Sequence, residues 1–233
     1  MLGLRARRPS FWERAGRWVL LGGLLLAGVG AAFAPWVARP AAALVLTAPD
    51  LAEFVKFLPE VRAGALKVQR LLFLLPLFVA AVSLPWVVAS GWLVYPRWLR
   101  WLVLAGVIPL SLSLLPPVWS PGVLLSAEFR LQTLACGLCL GLVAASRWLR
   151  RAPARPALAG LMSLSALAVV LSLWQFRVVD QAVARAYASP IWPGWGAWLA
   201  AAGFALAVIG GMVCWRSINN RPDLWYHREQ LAG

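Results

Sequence analysis

The sequence predicts an all-α protein: a polytopic transmembrane bundle of six spans, both termini cytoplasmic, with a short amphipathic helix in the first outer loop. Three observations predict it. Six apolar stretches each approach the ~20 helical residues that a hydrocarbon core about 30 Å thick requires. Arginines collect in alternate connections, and tryptophans flank the same stretches. The composition agrees, with 62% hydrophobic and only 13% charged residues, too few charges to cover a soluble domain. The net charge of +14 would suggest nucleic acid in a soluble chain. Here the basic residues end apolar runs, where they anchor helices at lipid headgroups. Nucleic acid is excluded as a partner on that ground, and the lipid bilayer is expected.

The chain reads as one six-helix membrane domain over 1–233. The spans fall at about 18–38, 71–94, 99–118, 127–146, 157–176 and 194–215. Arg5, Arg7, Arg8, Arg14 and Arg17 precede the first, Arg97 and Arg100 join the second to the third, and Arg147, Arg150, Arg151 and Arg155 join the fourth to the fifth. Arg216, Arg221 and Arg228 lie in a tail over 216–233. Positive residues prefer the cytoplasm, so these connections and both termini are placed inside. Trp12, Trp18, Trp92, Trp98, Trp101, Trp148 and Trp215 then mark an inner aromatic belt, and Trp36, Trp119, Trp174, Trp192, Trp195 and Trp198 an outer one. The first span resembles a signal peptide through Ala32-Phe33-Ala34, but Pro35 after the cleavage position argues for an uncleaved anchor.

The first outer loop, 39–69, carries the amphipathic helix at 48–58. Thr47 caps it, Pro49 suits its first turn, and Asp50 and Glu53 complement its dipole. Leu51, Phe54, Val55 and Leu58 share a face, and Pro59 stops the helix. The fifth span is expected to continue outward through Arg177, Asp180, Gln181 and Arg185 until Pro190. Arg177, Gln181 and Arg185 share a face that could pair with Asp50 and Glu53, giving a small outer cap. Asp50, Glu53, Phe54, Phe57, Arg177, Asp180 and Arg185 are the candidate partner surface.

Cys136-Gly137-Leu138-Cys139 is a C-x-x-C, but it lies about mid-span, where hydrocarbon keeps thiols neutral and unreactive. The expected role is packing, with Gly137, Gly141 and Ala145 as a small-residue stripe. Gly23, Ala27 and Ala31 in the first span and Gly203, Ala207 and Gly211 in the last are read in the same way. Pro76 and Pro85 should kink the second span, and Pro109, Pro116 and Pro117 the third. Glu128 is placed at a helix N-terminus near the surface, one turn from Gln132. His227 stands alone in the tail, so no metal site or cofactor is expected, and no nucleotide or hydrolase motif is present.

Ala34-Pro35-Trp36-Val37, Asp50-Leu51, Pro193-Gly194-Trp195-Gly196-Ala197-Trp198-Leu199 and Ile209-Gly210-Gly211 together resemble small bacterial multispanning membrane proteins of uncharacterised function. The likeness covers mainly the first and last spans. It implies a multi-pass protein of the bacterial cytoplasmic membrane and carries no catalytic residue. The expected function is that of a non-enzymatic accessory, scaffold or assembly subunit acting on other membrane subunits or on a second copy. One alternative is a permease-like subunit served by a separate ATPase. Another is a membrane-embedded thiol oxidoreductase using Cys136 and Cys139.

Overall fold

The computed structural model describes residues 11–39, 44–186 and 190–219. The arginines before Phe11 and most of the predicted tail, His227 included, lie outside them. Helix α1 (Phe11–Ala32) leads into a pair of three-residue antiparallel strands, β1 (Val37–Arg39) and β2 (Leu44–Leu46), with Val37 opposite Leu46. Short helices α2 (Ala48–Phe54) and α3 (Pro59–Arg62) follow, separated by a 3-10 turn over Val55–Phe57. Then come α4 (Leu71–Ala89), α5 (Arg97–Leu112), the single turn α6 (Pro121–Leu124), α7 (Arg130–Ala144), α8 (Ala154–Ala186) and α9 (Trp195–Asn219). A seven-residue 3-10 segment, Ala145–Arg151, extends α7. The frame is helical, and five helices are long and apolar enough to cross a membrane: α1, α4, α7 with its extension, α8 and α9.

The third predicted span is shorter than expected. Helix α5 has 16 residues, about 24 Å at 1.5 Å per residue, and ends six residues before Val118. The cause is Pro116-Pro117. Proline has no N–H to donate and disfavours helical geometry in the residue before it, so the helix closes in a tight turn in which Leu115 N donates to Leu112 O at 3.0 Å. Pro76 and Pro85, by contrast, are buried inside a continuous α4. That helix is apolar all round and occupies the middle of the bundle, as such a helix must.

The tightest packing is between α1 and α9, which run antiparallel. Gly16, Leu20, Gly23, Ala27 and Gly30 on α1 face Gly196, Ala200, Gly203, Ala207 and Gly210 on α9. A Cβ placed on Gly23 would lie 2.5 Å from both Ala207 N and Gly203 O, and one on Gly30 would lie 2.6 Å from Ala200 N. Both rows step alternately by four and three residues, a 3.5-residue period that keeps a left-handed seam in register along its whole length. The predicted stripes used steps of four only, and so drifted off it. Gly211 instead faces α8, where an added Cβ would meet Met162 Cγ at 2.9 Å.

Hydrogen bonds close one end of the seam. Gly194 N donates to Trp36 O at 2.6 Å and Gly196 N to Pro35 O at 2.9 Å. Trp36 was expected in the outer belt, yet it is 1% exposed, its Nε1 donating to Gly30 O at 3.1 Å. An indole that finds an acceptor can be buried whole, and here it plugs the end of the seam. At the opposite end Gly91 packs on the Arg150 backbone, Arg17 Nη1 donates to Val94 O at 2.7 Å, and Tyr95 Oη donates to Arg17 O at 2.7 Å. The helix ends bearing Arg14, Arg17, Arg97, Arg100, Arg147, Arg150, Arg151, Arg155 and Arg216 meet there. We refer to it as the arginine end and to the other as the cap end.

Candidate functional site

The cap is built from α2 upward. Thr47 Oγ1 accepts from Asp50 N at 3.4 Å while Thr47 N donates to Asp50 Oδ2 at 3.1 Å, a reciprocal box that fixes where the helix starts. Asp50 is therefore used within its own turn. Ala48, Leu51, Ala52, Val55 and Leu58 are buried against the bundle, chiefly on α4. The predicted face thus covers protein rather than lipid. Phe54 is half-buried and Phe57 is 69% exposed.

With that face down, Glu53 and Lys56 point toward the start of α4 and the turn before α7. Arg70 Nη1 reaches Glu53 Oε1 at 3.0 Å and Glu128 Oε1 at 3.3 Å, and its Nη2 donates to the Glu128 carbonyl. Lys56 Nζ lies 2.5 Å from Glu53 Oε2 and 2.8 Å from Glu128 Oε1. Both cations sit over the Phe129 ring, at 5.0 Å for Lys56 and 4.9 Å for Arg70. Two cations and two anions thus neutralise one another and pin α2, α4 and α7 together. Partial burial works to lower the Lys56 pKa, but its hydrogen bonds to Glu128 and Glu53 outweigh it and raise the value. The Lys56 hydrogen bond holds the Glu128 carboxyl below the usual glutamate range.

Glu128 lies just before the α7 N-cap, Phe129, and is half exposed, as expected; it is also an ion-pair hub. The expected pairing across the two outer segments is different. Arg185 Nη2 reaches Glu60 Oε1 at 3.3 Å, on α3. Among the described residues no ion pair joins Arg177 or Asp180 to α2. Sequence reasoning missed the roles of Lys56, Arg70 and Glu60: Lys56 pairs locally with Glu53 at i,i+3, but its pairing with Glu128 and those of Arg70 and Glu60 span 17 to 125 positions and repeat no local spacing.

Helix α7 turns its cysteines inward. Cys136 is 4% and Cys139 0% exposed, and both are free thiols. Gly137 and Gly141 point the other way, and a Cβ on either would meet nothing within 4 Å. Within the chain the cysteines fill the interface and the glycines face out. Gln132, one turn earlier, is 4% exposed with its Oε1 unpartnered.

Two cavities flank α4. One, of about 160 Å³, lies between α4 and α7 beside Gln132. The larger, about 460 Å³, separates α4 from the first turns of α8. Its walls are apolar, and no group of three metal-ligating side chains occurs among the described residues. Comparison of the chain with models of protein families, with curated proteins and with solved structures finds no match.

Proposed function

We propose that this chain is a non-enzymatic integral membrane subunit that works through protein contacts, in a bacterial cytoplasmic membrane, with six spans and the arginine end inside. The observation that carries the reading is an imbalance in packing. The spanning part of α4 is 67% buried and that of α1 56%, whereas α7 is 17% and α8 28% buried. Ion pairs at the cap are made within the chain, and α7 and α8, which both pack on α4, present Leu131, Leu134, Leu138, Leu167 and Val170 outward. A flank of that kind suits a second copy or another helical subunit.

Six crossings are supported by chain direction. Helix α4 runs from the cap end to the arginine end, and α7 begins again at the cap, beside Lys56 and Arg70. Helix α5 is the segment that returns the chain between them. Its turn through Leu115 adds the length its 16 residues lack. The excess of arginine at one end supports that end as cytoplasmic.

Two measurements test this. Ser120→Cys should react in intact cells with a membrane-impermeant maleimide, since the native thiols are buried; protection of Ser120→Cys together with reaction of Trp148→Cys would overturn the orientation. Extracted in mild detergent, the protein should run as a defined assembly larger than one chain. A monodisperse single chain, with no crosslinked partner in native membranes, would refute the contact role.

A further inference from the structure

The groove between α4 and α8 is open along one side of the bundle. Val82, Ser83 and Trp86 form one wall, and Pro153, Gly160 and Leu164 form much of the other. Its volume of about 460 Å³ is that of a small-molecule cleft, and almost all of its surface is apolar. The polar exceptions are Ser83 and the Trp86 indole, whose buried Nε1 has no acceptor among the described residues. Depth is set by the neighbours. Trp86 lies one turn before the end of α4, Gly91 rests on the Arg150 backbone, and Pro153 and Pro156 flank the start of α8. The groove therefore opens just beneath the arginine end.

Arg147, Arg150, Arg151 and Arg155 lie in the segment that leads into α8 and in its first turn, the last two within two residues of the lining Pro153 and Pro156. All four are exposed, and no carboxylate pairs with them among the described residues. This differs from the cap, where Lys56 and Arg70 are neutralised by Glu53 and Glu128. An apolar slot at acyl-chain depth under an unneutralised arginine cluster matches one chemistry, an amphiphile with hydrocarbon below and negative charge above. We propose that the groove between α4 and α8 is a binding site for an anionic phospholipid of the leaflet at the arginine end, with an acyl chain between Trp86 and Gly160 and the phosphate held by Arg151 and Arg155. Arginine suits that headgroup through its forked donors.

The test uses the full chain in detergent and native mass spectrometry, with phosphatidylglycerol, phosphatidylcholine and inorganic phosphate as probes. Phosphatidylglycerol should be retained in preference to phosphatidylcholine, and inorganic phosphate should not displace it. Arg151→Gln and Arg155→Gln should each weaken retention about fivefold, the contribution of one basic side chain near an anionic headgroup. Gly160→Phe fills the slot, since nothing lies within 4 Å of the added Cβ, and should abolish retention with the arginines untouched. Gly137→Phe, equally open but on α7, should leave it unchanged. Equal retention of the two lipids, displacement by inorganic phosphate, or full retention in Gly160→Phe would overturn the proposal. If Gly160→Phe fails to fold, the two exposed arginine variants decide alone, and unchanged retention in both would refute it.

Discussion

The α1–α9 seam and the outer flank of α7 use the same small residues to opposite ends. In the seam, glycine lets two backbones touch. A Cβ on Gly203 would lie 2.6 Å from Gly23 O, and the neighbour is main chain that cannot swing away. On the flank, Gly137 and Gly141 face open space, while the packing is done by Cys136 and Cys139. A small-xxx-small spacing therefore says that close approach is possible, and the facing helix decides whether it occurs. The seam is closed by the chain itself, and the outward face of α7 is left open.

The contrast breaks first at Gly203. Gly203→Leu should destabilise the protein by about 3 kcal/mol or more, at the upper end for overpacking, because α1 would have to move as a unit. Unfolding titrations in mixed micelles check this, and a loss below about 1 kcal/mol would show that the seam is more plastic than its distances imply.

Arg70→Gln comes next. It leaves Glu53 and Glu128 with Lys56 alone at a site where the Arg70 side chain is 15% exposed, and should cost about 1–2 kcal/mol, between the values for surface and buried pairs. The same network sets a pH window. Glu128 has a depressed folded pKa, so its contribution is present above the usual 4.5 and is lost as pH falls through the lower value. Lys56 has a raised folded pKa, so its contribution is present below 10.5 and is lost as pH rises through the higher value. Glu128 is half exposed, so the acid loss should be under about 1 kcal/mol, read as a lower thermal midpoint that Glu128→Gln removes.

Smaller still is the double variant Cys136→Ser and Cys139→Ser. Serine keeps the size, so the change should stay near 1 kcal/mol, and the thiols of the parent should alkylate as free thiols once the protein is unfolded. A Cys136–Cys139 disulfide recovered from native membranes would revive the redox reading. Gly137→Leu should have the least effect on the isolated chain, within about 0.5 kcal/mol, because the added side chain enters open space.

Much of this architecture is legible locally. The Thr47 box, the apolar row through Leu51, Val55 and Leu58, and the long apolar runs depend on neighbours in sequence, and the structure has them. The 3.5-residue rhythm of Gly16, Gly23, Gly30 and of Gly196, Gly203, Gly210 was also open to reading, but needed both helices to be compared at once. Which way Gly137 faces was not legible, because an apolar helix in lipid has no polar side to orient it. Nor was the Glu53–Lys56–Arg70–Glu128 cluster, since tertiary packing alone brings Glu128 to the cap. Trp36 shows the limit of composition: a tryptophan at a span end reads as a belt residue until its acceptor, Gly30 O, is seen.

The account turns on the open flank being the one that partners cover. A photo-crosslinking residue placed at Leu138, 52% exposed on α7, can be compared in native membranes with one at Ile209, 53% exposed on α9. The account predicts a discrete protein adduct, to a second copy or to another membrane subunit, from Leu138 and only lipid from Ile209. Lipid adducts alone from both positions, or protein adducts from Ile209 and none from Leu138, would contradict it.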